Sequence, residues 1–513
     1  MFQPIVQYIS VKAEPPSLGD NTADADRLRR AVGLALDAPQ PVIPWSRLAR
    51  VATDFRQAGF RGVAVVNEIP GGFEIVDFLA ARPKVLAAMA LDLGTTHLEA
   101  TLVDLLSGDC LARANQENGQ ICFGADILSR MHFAAKNDGL EQLNRAVLES
   151  INGLAKELAV LAGLERSEIR AISVSGNPSM VHFFLKLDTF NICREPYIPV
   201  VNFPDQCRAG ELGLDIHPDG PVFLLPGVGS YFGGDLISGI LATGLDQAEQ
   251  TSMLIDVGTN AEVVLGNREW LIACAGAAGP ALEGGVARMG MRAGPGAIEH
   301  VQVDPQTGAI TYQTIGEAKP RGICGSGIID LVAGLYLARI IDIRGKFRRS
   351  AAGSQLTETP SGLAFTVVPA SQGADRRPVV LGQVDLDALI RSKAAMYSIL
   401  TTLVNQVGVS FEELGCINVA GAFGRHIDPA QAVTLGMLPD LPLATYQPVG
   451  NSSLGGAEKV LLERGARQRC KHIATTITYI ELNVNQEFMM RFSGAKFIPH
   501  TERQLFPSVP VFE

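Results

Sequence analysis

The chain has 513 residues, of which 47% are hydrophobic and 19% are charged, and its formal net charge is −10. This length and apolar content suffice for two or three domains, because a single hydrophobic core stops growing at about 250 to 300 residues. The acidic charge and the absence of any Lys/Arg-rich run argue against a nucleic-acid-binding surface, which needs clustered cations.

No basic amino-terminal stretch precedes an apolar run, and no stretch of about 18 uninterrupted apolar residues occurs. We therefore expect a cytoplasmic protein without a membrane segment. The cysteines are scattered singly, with no C-x-x-C pair of the kind that holds zinc or iron–sulfur clusters. They are predicted to be reduced, buried thiols, at positions 110, 122, 193, 207, 274, 324, 416 and 470.

Residues 1–86 are predicted to form a separate small α/β domain. A strand-like VQYISVKA leads into the turn cluster PPSLGDNTAD, which is rich in helix-capping residues. A helix is expected from about Ala25 to Ala35, and GVAVVNEIPGG reads as a strand closed by a turn. From about Lys84 onwards, glycine-punctuated strands alternate with helices.

The pattern in this second part predicts helices over 125–136 and 142–163, and a strand over 171–177 followed by a helix that starts at Pro178. Further strand-to-glycine-to-helix transitions begin at Cys274, Gly322 and Ile417. The polar stretch 350–375 lacks periodicity and is expected to be an exposed hairpin or loop excursion.

The most informative feature is a repeated hairpin. LDLGTTHLEATLVD begins at Leu91 and LIDVGTNAEVVLGN begins at Leu254, and their aspartates Asp92 and Asp256 lie 164 residues apart. Each copy is a hydrophobic strand that runs into Asp-x-Gly-Thr and out into a second alternating strand. A single Asp-Gly-Thr is an ordinary hairpin turn, but two copies in matching contexts favour a shared chemical role.

That role is predicted to be phosphate binding. Glycine lets a backbone approach a ligand closely, and the residues after it offer hydroxyl, amide and main-chain N–H groups to phosphate oxygens. A carboxylate at the strand end can hold the water shell of Mg²⁺, so Asp92 and Asp256 are the candidate metal-organising residues. The candidate phosphate-binding residues are Gly94, Thr95, Thr96, Gly258, Thr259 and Asn260.

Glycine-rich turns that start helices are candidates for the contacts to sugar and base, because they supply free N–H donors. Each of these turns is also explained by ordinary helix capping, and the sequence does not decide which turn holds the adenine. The candidate residues are Gly279, Glu283, Gly325, Ser326, Gly327, Gly421 and Gly424.

Two further acidic segments have competing explanations. Asp235 in SYFGGDLISG could orient the attacking water or the Mg²⁺ shell, or it could only satisfy a helix N-terminus. The string DIHPDG from Asp215 contains an Asp-x-His-x-x-Gly pattern, which places His under cobalt in some corrinoid proteins. Here His217 is followed by Pro218 and a strand, so we predict a turn.

Together, the hairpins, the segment from Gly229 to Gly239 and the VAGAFG turn resemble the superfamily of acetate and sugar kinases, heat-shock ATPases and actin. Within it, nearly the whole chain resembles the reductive activators of corrinoid proteins. The strings that carry this resemblance are PPSLGDNTADADRL, GADILSRM, GNPSMVHFFL, CAGAAGPALEGG, GICGSGIIDL, VAGAFGRHIDPAQAVTLGMLPD and NSSLGGA.

The resemblance implies an α/β fold with two duplicated actin-like (ribonuclease H-like) lobes around a nucleotide cleft, over residues 87–230 and 231–513. The C-terminal segment is expected to return to the first lobe. It also implies an ATPase that uses ATP and Mg²⁺ to return a corrinoid protein from Co(II) to Co(I) within a methyltransferase system. Similar activators form dimers, which leads us to expect a homodimer.

One departure from the family pattern is expected to matter. Activators of this kind carry an iron–sulfur domain at one terminus, whereas MFQPIVQ falls where such a domain would end and HTERQLFPSVPVFE has no cysteine. We therefore expect no bound iron–sulfur cluster. Either a separate low-potential protein such as a ferredoxin donates the electron, or this member has lost electron transfer and uses ATP for another purpose. Two alternatives stay open: a small-molecule kinase with Asp235 as the base, and a non-catalytic ATP-gated binding protein.

Overall fold

The structure is a computed structural model that describes residues 2–258, 260–276, 289–291, 293–360, 362–482, 485–510 and 512. The chain forms two compact units. The first unit comprises Met1–Ala242 and Ser453–Thr475, and the second comprises Thr243–Ser452 and Thr476–Glu513.

The first unit contains nine strands and six helices before residue 244, in the parts that the structure describes. The strands are β1 (Val6–Lys12), β2 (Arg61–Ile69), β3 (Gly72–Leu79), β4 (Ala87–Leu93), β5 (His97–Asp104), β6 (Cys110–Glu117), β7 (Ile169–Gly176), β8 (Cys207–Arg208) and β9 (Pro221–Leu224). The helices are α1 (Asp24–Leu36), α2 (Trp45–Gln57), α3 (Ile127–Ala134), α4 (Gly139–Ala162), α5 (Pro178–Phe184) and α6 (Gly234–Thr243).

The rest of the chain completes both units. Its strands are β10 (Ser252–Val257), β11 (Ala261–Gly266), β12 (Leu271–Gly276), β13 (Ala297–Val303), β14 (Ile310–Thr314), β15 (Gly322–Ile323), β16 (Leu356–Thr359), β17 (Gly362–Val368), β18 (Val379–Gly382), β19 (Ile417–Ala420), β20 (Tyr446–Gly450) and β21 (Thr478–Tyr479). Its helices are α7 (Gly325–Leu337), α8 (Arg349–Ala352), α9 (Gln383–Gln406), α10 (Gly421–His426), α11 (Pro429–Leu435), α12 (Ser452–Leu462), α13 (Arg464–Thr476) and α14 (Gln486–Ala495).

The amino-terminal part of the first unit is an antiparallel sheet in the order β1-β2-β3, covered by α1 and α2. Its core is built from apolar side chains of both layers, among them Leu28, Phe55 and Phe78. The ring of Phe55 meets that of Phe78 edge-on, with centroids 5.1 Å apart. The predicted helix and the predicted strand closed by a turn are both confirmed.

The larger sheet of the first unit has the order β6-β5-β4-β7-β9-β8. Strands β4, β5 and β6 form an antiparallel meander, whereas β7 runs parallel to β4 and β9 runs parallel to β7. Helix α4 packs on this sheet because its apolar residues recur at helical spacing, as in Leu143, Val147 and Ile151. It ends at Gly163, which has a left-handed conformation.

The main sheet of the second unit repeats this arrangement in the order β20-β19-β10-β11-β12-β21. Strands β10, β11 and β12 form the antiparallel meander, and β19 and β20 are the parallel additions beside β10. The order and directions of β6-β5-β4-β7-β9 therefore recur in β12-β11-β10-β19-β20. This repetition confirms the predicted duplicated actin-like fold.

The stretch predicted to be an exposed hairpin or loop excursion is more ordered than expected. Strands β16 and β17 do form a hairpin, but β18 extends it to a three-stranded antiparallel sheet. The side chains of Phe365 and Val368 are buried in the core of the second unit. Only the short run AFTVV carries the apolar signal, and the polar residues around it obscured the pattern.

The prediction of buried thiols is correct for only some of the cysteines. Cys274, Cys324 and Cys470 are buried, whereas Cys110, Cys122 and Cys193 are exposed and Cys207 and Cys416 are half-buried. The predicted turn at DIHPDG is confirmed, because the N–H of Gly220 donates to the carbonyl of His217 over 2.9 Å. Among the described helices, none is both long enough and apolar enough to cross a membrane.

Candidate nucleotide-binding site

The first repeated hairpin is formed by β4 and β5. Asp92 is the second-to-last residue of β4, and its register partners are Glu99 on β5 and Ser175 on β7. A Cβ at Gly94 would lie 2.3 Å from the carbonyl oxygen of His97. Glycine is therefore required here by the closure of the turn itself, whatever ligand the turn binds.

Two asparagines hold the tip of this hairpin. The side chain of Asn118 donates to the carbonyl of Gly94 over 2.9 Å, and its main-chain N–H donates to Thr96 over 2.8 Å. The Asn177 amide donates to the Thr95 hydroxyl over 3.1 Å. Because that hydroxyl accepts from Asn177, its own hydrogen is directed elsewhere and can donate to a phosphate oxygen.

Both asparagines follow directly on strands that end at the same sheet edge. Asn118 follows β6 and Asn177 follows β7, and both strands run in the same direction as β4. Sequence reasoning missed them. The available signal was their position, since the carboxyl ends of strands with one direction meet at one edge of a sheet.

Buried serines orient the Asp92 carboxylate. The hydroxyl of Ser453 donates to Oδ1 of Asp92 over 2.7 Å and lies 2.8 Å from the hydroxyl of Ser175. Ser238 on α6 donates to the main-chain carbonyl of Ser453. Ser453 belongs to the first turn of α12, which packs closely on α6 because Gly456 has no side chain to collide with Ser238.

Asp235 lies in the first turn of α6, near Asp92. Gly233 makes this approach possible, because a Cβ there would lie 2.4 Å from the carbonyl oxygen of Gly176. Burial raises the pKa of Asp235 to about 6, the N–H of Leu236 acts in the opposite direction, and the Asp92 carboxylate raises the pKa further. The first unit therefore brings together a pair of carboxylates, one of which titrates near neutral pH.

The serine contact leads to a testable prediction. Replacing Ser453 by Ala is expected to lower the rate of ATP hydrolysis about tenfold, because a hydrogen bond to a charged group is lost and Asp92 can rotate. Steady-state kinetics should show the loss mainly in kcat. Ser173→Ala is the matched control. Ser173 is buried, as Ser453 is, and its hydroxyl on β7 donates to the carbonyl of Ala457 on α12 without reaching Asp92. An equal loss of kcat in both variants would contradict the prediction.

The second repeated hairpin, β10–β11, has the same strand register around its aspartate as the first hairpin. Asp256 on β10 faces Glu262 on β11 and Ala420 on β19, as Asp92 faces Glu99 and Ser175. Gly421 follows with a φ of +79°, and a Cβ there would lie 3.2 Å from Oδ1 of Asp256.

The remaining residues of this turn are partly described. The N–H of Gly258 donates to the carbonyl of Asn260 over 2.9 Å, and Asn260 is exposed. Thr259 lies outside the described residues. In the first unit, Asp92 and Asp235 thus come together at the Gly94 turn, and in the second unit Gly421 lies beside Asp256.

The other glycine-rich turns have packing explanations. The hydroxyl of Ser326 donates to the carbonyl of Glu299 over 2.8 Å, and a Cβ at Gly327 would lie 2.4 Å from the carbonyl oxygen of Ile298. Gly325 starts α7, and a Cβ at Gly424 would lie 2.1 Å from the carbonyl oxygen of Val419. Nucleotide contacts for these residues stay predictions. Gly279 and Glu283 lie outside the described residues.

The duplicated sheets define a protein with an actin-like fold, and comparison with known proteins narrows the class. Residues 87–248 match the RACo middle region, and residues 250–510 match the C-terminal domain of RACo, the ASKHA domain. The chain belongs to the RACo family of reductive activators of corrinoid proteins.

Individual relatives agree with this assignment. The corrinoid activation enzyme RamQ of Eubacterium limosum is 30% identical over 498 residues, which are 95% of this chain and 82% of the relative. The [Co(II) methylated amine-specific corrinoid protein] reductase of Methanosarcina barkeri is 24% identical over 421 residues, 76% of this chain and 72% of the relative. A solved structure of a reductive activator for corrinoid, iron–sulfur protein superposes with a TM-score of 0.91 at 38% identity, covering 99% of this chain and 81% of that chain.

Proposed function

We propose that this protein is an ATP-hydrolysing activator that returns a corrinoid protein from Co(II) to Co(I). Membership of the family supports a corrinoid protein as the partner. The observation that supports ATP hydrolysis is the Asp92–Asp235 pair beside the Gly94 turn. One electron is added to the cobalt, and a separate low-potential donor such as a ferredoxin supplies it. Hydrolysis of ATP to ADP and phosphate supplies the free energy for this unfavourable transfer.

The residues of the first unit suit a magnesium nucleotide. Burial is the main cause of the raised pKa of Asp235, and the neighbouring Asp92 carboxylate raises it further. A divalent cation would relieve the repulsion between the two carboxylates. Asp92 and Asp256 would hold Mg²⁺ through water, and the ion neutralises phosphate charge when bound. The assignment of Asp256 to the same nucleotide derives from the sequence repeat.

Each group then has a defined task in hydrolysis. Asp235, with a pKa near 6, accepts a proton from the water that attacks the γ-phosphate. The turn residues Gly94, Thr95 and Thr96 present N–H and hydroxyl donors to the phosphate oxygens, and Gly258, Thr259 and Asn260 do so in the second unit. The nucleotide-dependent change of state that follows alters the affinity for the corrinoid protein or the coordination of its cobalt.

A reconstituted assay tests the proposal. The purified chain is mixed with a corrinoid protein held in the Co(II) state, a low-potential electron donor and ATP, and both phosphate release and the Co(I) absorption spectrum are followed. We expect slow hydrolysis that accelerates with the Co(II) protein, and Co(I) only when ATP and donor are both present. Formation of Co(I) at the same rate without ATP would overturn the proposal.

A small-molecule kinase is the second candidate, and the raised pKa of Asp235 favours it as well, because a kinase needs a base for its acceptor hydroxyl. Product analysis separates the two functions. A kinase transfers the γ-phosphate to an added metabolite, whereas an activator releases it as inorganic phosphate and responds to a protein. Binding of ATP without turnover would point instead to an ATP-gated binding protein. A homodimer stays a prediction of the family resemblance.

A further inference from the structure

Arg130 on α3 is a buried cation without a counter-ion. Its side chain has no exposed surface, and burial lowers its pKa to about 10, so the guanidinium stays charged at neutral pH. Nε donates to the carbonyl of Gly124 over 2.9 Å and Nη1 to the Gln120 amide oxygen over 3.3 Å. Nη2 is buried with no hydrogen-bond partner. Asp126 attracts the guanidinium only from a longer distance.

Arg130 differs from the other buried arginines in having no ion pair. In the described parts, only Arg27 and Arg467 are comparably buried, and each forms an ion pair, with Asp20 and Glu68 respectively. Burying a charge has a large free-energy cost, because the charge loses its hydration. Only an opposite charge or complete hydrogen bonding offsets that cost. Nε of Arg27 is also buried without a partner, so the missing ion pair, more than the unpaired Nη2, sets Arg130 apart. This missing ion pair indicates that the counter-charge of Arg130 comes from outside the chain.

The local structure is built to hold this cation in place. Asp126 caps α3, accepting the N–H of Ser129 over 2.8 Å. A Cβ at Gly124 would lie 3.1 Å from Cγ of Arg130 and 2.9 Å from Cβ of Ser129, so only glycine lets the chain close over the arginine. The residues of the motif GADILSRM thus surround the guanidinium of Arg130 and hold it in place.

Arg130 lies behind the Gly94 turn, separated from it by one layer of side chains. The sulfur of Met180 lies 3.6 Å from Nη1 of Arg130 and 3.9 Å from the side-chain amide of Asn118, which holds Gly94. The N–H of Met180 also donates to Asn177, which holds Thr95. Met180 therefore links the guanidinium to the two asparagines that fix the Gly94 turn.

We propose that Arg130 is an electrostatic anchor for the polyphosphate of the nucleotide, acting through the Gly94 turn without direct contact. This inference rests on the proposed function. At a separation of roughly 10 Å and an effective dielectric constant of about 20, one positive charge changes the affinity for a unit negative charge about tenfold. The anchor therefore makes the affinity depend on ligand charge, so that ATP gains more than ADP and adenosine gains nothing.

The test measures dissociation constants for ATP, ADP and adenosine by calorimetry on the full chain. Arg130→Met removes the charge at similar length, and Arg27→Met is the control for loss of a buried arginine in the same unit. We expect Arg130→Met to weaken ATP binding about tenfold or more, ADP binding less and adenosine binding not at all. Arg27→Met should leave the ratio of ATP to adenosine affinity unchanged.

A second variant leaves Arg130 itself intact. Gln120→Glu places a carboxylate where the amide oxygen now meets Nη1, so the guanidinium acquires an internal counter-ion while staying in position. We expect the same selective loss of ATP affinity. An equal loss for all three ligands in Arg130→Met, or unchanged ATP affinity in a folded Gln120→Glu, would overturn the inference. Absence of ATP binding in the unmodified chain would instead refute the proposed function.

Discussion

Replacing Asp92 by Asn is expected to lower the rate of ATP hydrolysis by about a hundred- to a thousandfold. The substitution preserves shape and hydrogen bonding to Ser453 but removes the negative charge that we propose to organise the magnesium nucleotide. Asp256→Asn is expected to have a similar effect, because Asp256 has the equivalent place in the second hairpin. Phosphate release at saturating ATP and Mg²⁺ is the measurement.

Asp104→Asn provides the matched control. Asp104 is a buried carboxylate at the opposite end of the β4–β5 hairpin, where it accepts the N–H groups of Leu86 and Leu106. Its role is structural, so Asp104→Asn should lower the Tm while kcat changes little. If Asp92→Asn and Asp256→Asn hydrolyse ATP at the unmodified rate, the assignment of the site to these hairpins is wrong.

Asp235→Asn is expected to reduce hydrolysis by at least about a hundredfold and, at the same time, to raise the Tm at pH 7. The loss of activity follows from removing the proton acceptor. The gain in stability follows from the raised pKa of about 6, because the ionised carboxylate is less favourable in the folded protein than in the unfolded chain. The two effects have opposite signs in one variant, as expected for a functional residue.

The contribution of Asp235 to stability changes with pH in a definite direction. Between the unfolded pKa near 4 and the folded pKa near 6, the folded protein binds more protons, so this group lowers the free energy of unfolding as pH rises. The Tm difference between variant and unmodified chain should therefore vanish below about pH 4 and be complete above about pH 6. For the unmodified chain, kcat should rise as the pH increases through about 6. For Asp235→Asn, this rise of kcat with pH should be absent. An Asp235→Asn variant with an unaltered pH profile would contradict the prediction.

The fold was predictable from the sequence to the extent that it depends on local patterns. The two Asp-x-Gly-Thr hairpins identified the duplication. The helix around Ala25 was predicted to within one residue at each end, and the start of the helix at Pro178 was predicted correctly. The sheet at 356–382 was underestimated because its apolar run is short and its polar neighbours dominate the pattern. The spacing of apolar residues reveals a buried strand or helix only when the pattern continues over several residues or turns.

The candidate site was predictable only in part. Asp92 and Asp235 were identified because glycines and strand ends mark them. Asn118 and Asn177 also follow strand ends but were missed, and Ser453 has no such local signal. Ser453 lies 361 residues from Asp92 in the chain, and only the packing of α12 on α6 brings its hydroxyl to the carboxylate. Closure of the turn alone also requires glycine at position 94, because a Cβ there would collide with the carbonyl oxygen of His97; the phosphate-binding role of Gly94 stays a prediction.

The return of α12 and α13 to the first unit has a consequence for biosynthesis. Most of the second unit, Thr243–Ser452, is inserted between Ala242 and Ser453, so the first unit is discontinuous in the chain. During translation, β4 and β5 leave the ribosome long before the helix that orients Asp92. A nascent chain that ends before residue 453 lacks the Ser453 hydroxyl, so the Asp92 carboxylate reaches its final orientation only near the end of synthesis.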